Sequence, residues 1–220
     1  MTMDKIWMLV QQGILDTLYM TLPSALFAYV LGLPLGILLV ITEKGHIRPN
    51  PTLNTVLGTV VNFLRSIPFV ILLVMLFPVT RVVMGTAIGT RSIIFPLVVS
   101  AFPYVARMVE GSLKEVDAGL IEAAQSMGSS TMQIIRKVLL PEALPSLING
   151  AAICVTTILA YTAMAGAAGG DGLGKIAITY GLNRREYGVM YAASIALVIM
   201  VQVIQVLGNV LTRVTDHRRK

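Results

Sequence analysis

An all-α polytopic membrane protein with five transmembrane helices is the fold the sequence predicts, and three features carry that prediction. Charged residues make up 13% and hydrophobic ones 55% of the 220-residue chain, where a soluble domain carries about 25% charge. The mean hydropathy is +0.79. Residues 17–42, 143–170 and 187–212 hold no Asp, Glu, Lys or Arg, and each run exceeds the roughly 20 residues that cross a hydrocarbon core.

Taken in order, the N-terminal Met1-Thr-Met-Asp-Lys-Ile-Trp7 does not read as a cleavable leader. The apolar run after it is too long for a signal-peptide core, and no small-residue cleavage site follows a short one. Residues 1–12 read as a short outer segment, 13–212 as one transmembrane domain and 213–220 as a basic inner tail. The first span is 17–42, where Pro23 and Pro34 are tolerable because neighbouring groups re-satisfy the freed carbonyls. A polar turn over 43–51 closes it. The second span is 55–80, with Arg65 its only charge. Residues 81–91 read as a loop with Gly85 and Gly89 in it. The third span, 92–109, contains Pro96 and Pro103. After a polar region at 110–142 come the fourth span at 143–168, a glycine-rich flexible re-entry loop at 171–186, and the fifth span at 187–212.

Five spans place the termini on opposite sides. With region 110–142 in the cytoplasm, the inner segments hold Lys44, Arg48, Arg107, Lys114, Arg136, Lys137, Arg213, Arg218, Arg219 and Lys220. The outer segments hold only Lys5, Arg81, Arg91, Lys175, Arg184 and Arg185. The excess of inner Lys and Arg predicts N-out, C-in, although Arg184 and Arg185 pull the other way.

Composition also excludes. The net charge of +6 belongs to basic inner loops, and no Lys/Arg-rich face with interleaved aromatics suggests nucleic acid. The single Cys154 lies in an apolar run, and His46 and His217 are far apart, so neither a disulfide within the chain nor a metal site is expected. Gly169 to Lys175 nearly spells a phosphate-binding loop, but Ile176 stands where Ser or Thr would hold magnesium, and no strand precedes it. A secondary transporter needs deep acids or histidines, or paired inverted halves. The spans hold no deep Asp, Glu or His, and five do not split into equal repeats. No buried nucleophile, acid pair or metal cluster suggests an intramembrane enzyme.

Region 110–142 is the anomaly. Leu120 to Met127 is a helix-like run that stops at Gly128, a common residue just past a helix end. Ser130 and Gln133 fit a capping box for a second helix. Ile134, Ile135, Val138 and Leu139 share one face of it, and Pro141 and Pro145 mark the return to the membrane. Small Ala123 and Ala124 would let another surface come close while Glu122 anchors it. Two readings fit this pattern: a docking knob for a partner, and an amphipathic helix lying on the headgroups.

Glu122-Ala-Ala-x3-Gly128, followed after nine residues by Val138-x-Leu140-Pro141, resembles the EAA motif of binding-protein-dependent ABC importer permeases, with Val138 where the family carries Ile. Arg65-Ser-Ile-Pro68-Phe69 and Gly169-Gly-Asp-Gly-Leu-Gly174 resemble segments of the amino-acid importers among them. The match covers nearly the whole chain and is closest to the methionine-uptake branch. It implies a type I ABC importer permease fold and a homodimer in the bacterial inner membrane. Glu122, Ala123, Ala124, Met127 and Gly128 would form a coupling helix docking on one of two separate ABC ATPase subunits. A periplasmic methionine-binding lipoprotein would deliver substrate. ATP and magnesium would belong to the ATPase, with no catalytic residue, metal or cofactor in this chain. A permease for another amino acid or small molecule shares the motif.

Four motif residues, Arg65, Pro68, Leu140 and Pro141, read as structural. A charge at the bilayer centre costs roughly 2.5–3.5 kcal/mol, so Arg65 snorkels to the inner end of its span or meets substrate. Span four is rich in Ala and Gly, which suits close helix packing. Its bulky exceptions Tyr161 and Met164 either line the pathway or simply pack.

Overall fold

The computed structural model describes residues 2–216. Among the sequence features named above, His217, Arg218, Arg219 and Lys220 lie outside the described residues. Among those described there are helices and no strand. Helix α1 is Met3–Ile41, α2 Pro51–Ser66, α3 Phe69–Met75, α4 Phe77–Met84, α5 Thr90–Lys114 and α6 Ala118–Ser126. Helix α7 runs Thr131–Ala168, α8 is Gly172–Ile176 continued by a wide turn over Ala177–Asn183, and α9 is Tyr187–Thr215. Helices α1, α5, α7 and α9 are each long and apolar enough to cross a membrane, and α2 with α3 makes a fifth, broken candidate.

The elements differ from expectation at four places, each for a physical reason. Helix α1 starts at Met3, so most of the expected outer segment is helical. Asp16 does not interrupt it, because Gln12 on the same helix donates to the carboxylate at 3.1 Å. The second span breaks at Ile67–Pro68, where proline lacks an N–H and keeps the preceding residue out of the helical region. The expected return at Pro141 is no stop. A widened turn over Ile135–Leu139, in which the Leu140 N–H reaches back to the Ile135 carbonyl, carries α7 past Pro141, and Pro145 sits inside the helix beyond it. Finally, the glycine-rich segment after Asp171 is helical with Gly172, Leu173, Gly174 and Ile176 buried, and not a flexible loop.

The chain groups into two compact units. The first comprises the chain up to Phe27, Ile67–Ala101 and Cys154–Val206. Its core joins Val10 to Leu173, Ile176, Val189, Ala193 and Ala196. The Leu173 N–H donates to Thr17 Oγ1 at 3.0 Å, and Gly174 lies so close to Ala163 that a Cβ would strike the Ala163 carbonyl. Here glycine provides approach, not freedom.

The second unit comprises Ala28–Ser66, Phe102–Ile153 and the chain from Leu207. Leu39, Val61 and Ala106 form its core, with Leu35 and Leu57 against them. Gly32 and Gly36, one small-xxx-small pair on α1, meet Phe102, Val105, Ala106 and Val109 of α5, the contact that substitutes for hydrophobic drive where lipid is as apolar as protein. Asn54 donates to the Leu39 carbonyl at 2.6 Å, tying α2 back to the end of α1.

Gly174→Ala is expected to lower the melting midpoint of the detergent-purified protein by about 5 °C, the overpacking of a tight contact costing about 2 kcal/mol. Gly111→Ala, on α5 with nothing within 4 Å of the added methyl, should leave the midpoint level or raise it. Equal midpoints for the two variants would contradict the close-approach reading.

Candidate functional site

Helix α6 carries an exposed apolar tip, and its geometry starts at Asp117. The Asp117 carboxylate accepts from the Gly119 N–H at 2.8 Å, meeting one of the free donors that every helix start presents. Ile121 and Ala124 face inward and are buried, while Leu120, Glu122, Ala123 and Met127 face out. Met127 is 78% exposed, a flexible thioether at the tip. Of the two small residues expected at the outer surface, Ala123 is exposed, whereas Ala124 is 4% exposed and packs the helix onto its own chain.

The far end of α6 is closed on both sides. The Gly128 N–H donates to Gln125 O at 2.9 Å and the Ser129 N–H to Ala124 O at 3.1 Å, with Gly128 at φ +76°. This pair of bonds is a Schellman cap. One residue later Ser130 and Gln133 cap each other's backbone, at 2.7 and 3.4 Å, and α7 begins. Ile134, Ile135 and Leu139 are buried and Val138 half-buried. Leu140, at the end of the wide turn, is half-buried, and Pro141 after it is exposed.

The helix before α6 is pinned by charge. On α5, Arg107 bonds Glu110 at 2.6 Å, and Lys114 bonds Glu110 at 3.0 Å and Glu43 at 2.9 Å. Arg107 also donates to Asn62 at 3.1 Å and to the Gly58 carbonyl at 3.0 Å. The two cations and two anions thus fasten α5, which ends three residues before the Asp117 cap, to the end of α1 and to α2. A cleft of about 210 Å³ beside them is lined by His46, Lys114, Glu122 and Gln125 among others. Burial there holds the His46 imidazole below its ordinary range, against the pull of Glu43.

The first unit holds the other expected site residues. Pro68 starts α3, and the Phe69 ring behind it stacks on Tyr161, centroids 4.6 Å apart and 4° from parallel. Met164, one turn on, is 49% exposed and borders an apolar cavity of about 570 Å³ between α7 and α9, with Ala160, Ala163, Leu197, Val198 and Val201. Arg65 sits exposed in the last turn of α2 and, among the described residues, meets no carboxylate.

Sequence reasoning missed Asp171. Its carboxylate accepts from the Thr90 N–H at 2.9 Å and the Thr90 hydroxyl at 3.0 Å, and from Lys175 Nζ at 2.6 Å. It caps the start of α5 from a distance, and the Gly89 N–H donates to Gly169 O at 2.9 Å alongside. Lys175 is thus committed to a carboxylate, not a phosphate. The available signal was Thr90 at a helix start; its partner, 81 residues away, has no local trace.

The model of the family described as "Binding-protein-dependent transport system inner membrane component" matches residues 32–220. The chain is 48% identical over 203 residues to the probable D-methionine transport system permease protein MetI of Vibrio cholerae, covering 92% of this chain and 90% of that protein. It is 51% identical over 166 residues to the D-methionine transport system permease protein MetI of Escherichia coli K12, 76% of each. Among solved structures, a chain of the MetNI methionine ABC transporter in inward-facing conformations superposes with a TM-score of 0.96 at 46% identity, over 99% of this chain and all of that one. An amino acid ABC transporter with histidines, 19% identical with a TM-score of 0.78, shares the fold.

Burial pushes the Asp171 carboxyl up, but the Lys175 and Thr90 bonds outweigh it and hold it below the ordinary range; the same Asp171 bond raises the Lys175 ammonium. A depressed carboxylate stabilises above its unfolded value near 3.9 and loses that stability as pH falls through its folded value; a raised ammonium loses its share as pH climbs past about 10.4. Asp171→Asn should therefore cost about 1 kcal/mol at pH 7, a gap that closes as pH drops below about 4. A gap independent of pH would contradict the ionic cap.

Proposed function

The chain belongs to the binding-protein-dependent transport system inner membrane components, and we propose that it is the permease subunit of an ATP-driven methionine importer. It is a multi-pass inner-membrane protein with the type I importer permease fold and works in transport, not as an enzyme. The observation that carries the proposal is α6, with Glu122, Ala123 and Met127 outward and both ends capped, at the head of α7. Such a knob suits a groove on a separate ABC ATPase, which would supply the ATP and magnesium chemistry.

Two copies of the permease would present two identical knobs to two identical ATPases, as a closed two-fold assembly requires. The bias of Lys and Arg supports N-out, C-in, with α6 in the cytoplasm and a methionine-delivering lipoprotein at the periplasmic face. When the ATPases close on ATP, the knobs move together, and the capped knee at Gly128 passes that motion into α7. That helix bears Tyr161 and Met164, the proposed pathway residues; Met164 stands exposed, while Tyr161 is stacked on Phe69. Arg65 and Pro68 shape the break that positions Phe69, and Leu140 and Pro141 close the wide turn of α7.

Co-purification with the ATPase, followed by ATP hydrolysis stimulated by the methionine-loaded binding protein, tests the docking. Glu122→Lys should cut stimulated hydrolysis about tenfold, the effect of reversing one interfacial charge pair worth about 1.4 kcal/mol or more; retained assembly and transport would remove α6 from the interface. In the same complex, Met164→Ala should alter uptake rate, leak or substrate preference, and a variant indistinguishable in all three would return Met164 to ordinary packing.

A further inference from the structure

Two inner-side arginines take no part in the docking surface, and a groove joins them. Pro34, Ile37, Leu38 and Ile41 fall at i, i+3, i+4 and i+7 on α1, a stripe about 10 Å long. Met132, Ile135 and Leu140 of α7 face it across a cavity of about 560 Å³. Arg48 and Arg136 also line this cavity. The Arg48 N–H donates to the Ile41 carbonyl at 2.9 Å, which pins Arg48 where the apolar stripe ends. Arg136 follows Ile135 on the facing wall.

Two facts point to what fills it. Leu38 and Met132 stay 41% and 55% exposed, so the apolar walls are uncovered. Among the described residues neither guanidinium pairs with a carboxylate, whereas Arg107 and Lys114 in the same unit are both neutralised. An apolar slot with two free cations at its cytoplasmic mouth complements one molecule class: an acyl chain carrying a phosphate. Guanidinium forks bind phosphate oxygens two at a time, and basic pockets between helices at the cytoplasmic face hold anionic headgroups.

We propose that this groove binds one anionic phospholipid of the inner leaflet, its acyl chain along Pro34 to Ile41 and its phosphate between Arg48 and Arg136. The inner-leaflet placement rests on the C-in orientation proposed above.

The test uses the complete permease–ATPase complex in non-ionic detergent, incubated with equal amounts of dioleoyl phosphatidylglycerol and dioleoyl phosphatidylcholine, with retained lipid counted by native mass spectrometry. Phosphatidylglycerol should be retained about tenfold over phosphatidylcholine. Arg48→Gln with Arg136→Gln should bring the ratio near parity, while Lys137→Gln, an exposed neighbour outside the groove, keeps it. Ile37→Trp, which fills the slot, should reduce retention of both lipids. Parity in the unmodified complex, equal loss in Lys137→Gln, or displacement of the lipid by excess inorganic phosphate would each overturn the site. So would retention by the permease alone that vanishes with the ATPase present, since the groove would then belong to that interface. Detergent has no sides, so the count is independent of orientation. Impermeant thiol labelling of Lys137→Cys, outside both the groove and the docking surface, in a Cys154→Ser background reads orientation separately. Labelling only after spheroplasts are permeabilised supports the inner-leaflet placement; labelling of intact spheroplasts overturns that placement.

Discussion

At Gly128 the backbone holds φ at +76°, in the left-handed region that residues with a Cβ enter only at a cost, and the proposed coupling of α6 to α7 depends on that turn. It lets α6 reverse within two residues while the Schellman bonds satisfy the closing carbonyls and the Ser130 box satisfies the opening amides. A cap at each side leaves little slack. A force on the outer face of α6 therefore reaches α7 as a displacement, not as local unfolding. The ion pairs of Arg107, Glu110, Lys114 and Glu43 hold the other side of the knob in the same way.

The same accounting separates this protein from an ion-coupled carrier. Glu110 is 9% exposed, and a buried lone acid would invite a coupling role. It is instead bonded by both Arg107 and Lys114, a neutralised strut at the end of α5. Asp171 is likewise occupied by Lys175 and Thr90. Both acids are thus spent on holding helix ends.

Much of this was legible in the sequence, because it lives in short-range pattern. The uncharged runs announce α1, α7 and α9, and Ser130 with Gln133 announces where α7 starts. The Glu122 to Gly128 spacing, through its resemblance, announces the family. What hid was set by tertiary contact. Glycines at 172 and 174 read as flexible, yet they are buried where backbones nearly touch. Pro141 reads as a stop, yet a wide turn absorbs it. Gly32 and Gly36 carry a helix contact that hydropathy alone does not weigh. Ala123 and Ala124 are neighbours in sequence, yet one is exposed and the other buried, a distinction that depends on which side the rest of the chain occupies.

The central claim is that ATP hydrolysed on the α6 side drives methionine across this permease. Uptake of radiolabelled methionine into proteoliposomes bearing permease, ATPase and binding protein measures it directly. The account predicts accumulation above the external concentration only with ATP on the face that carries Met127 and only with the ATPase present. Accumulation by the permease alone under an ion gradient would contradict it.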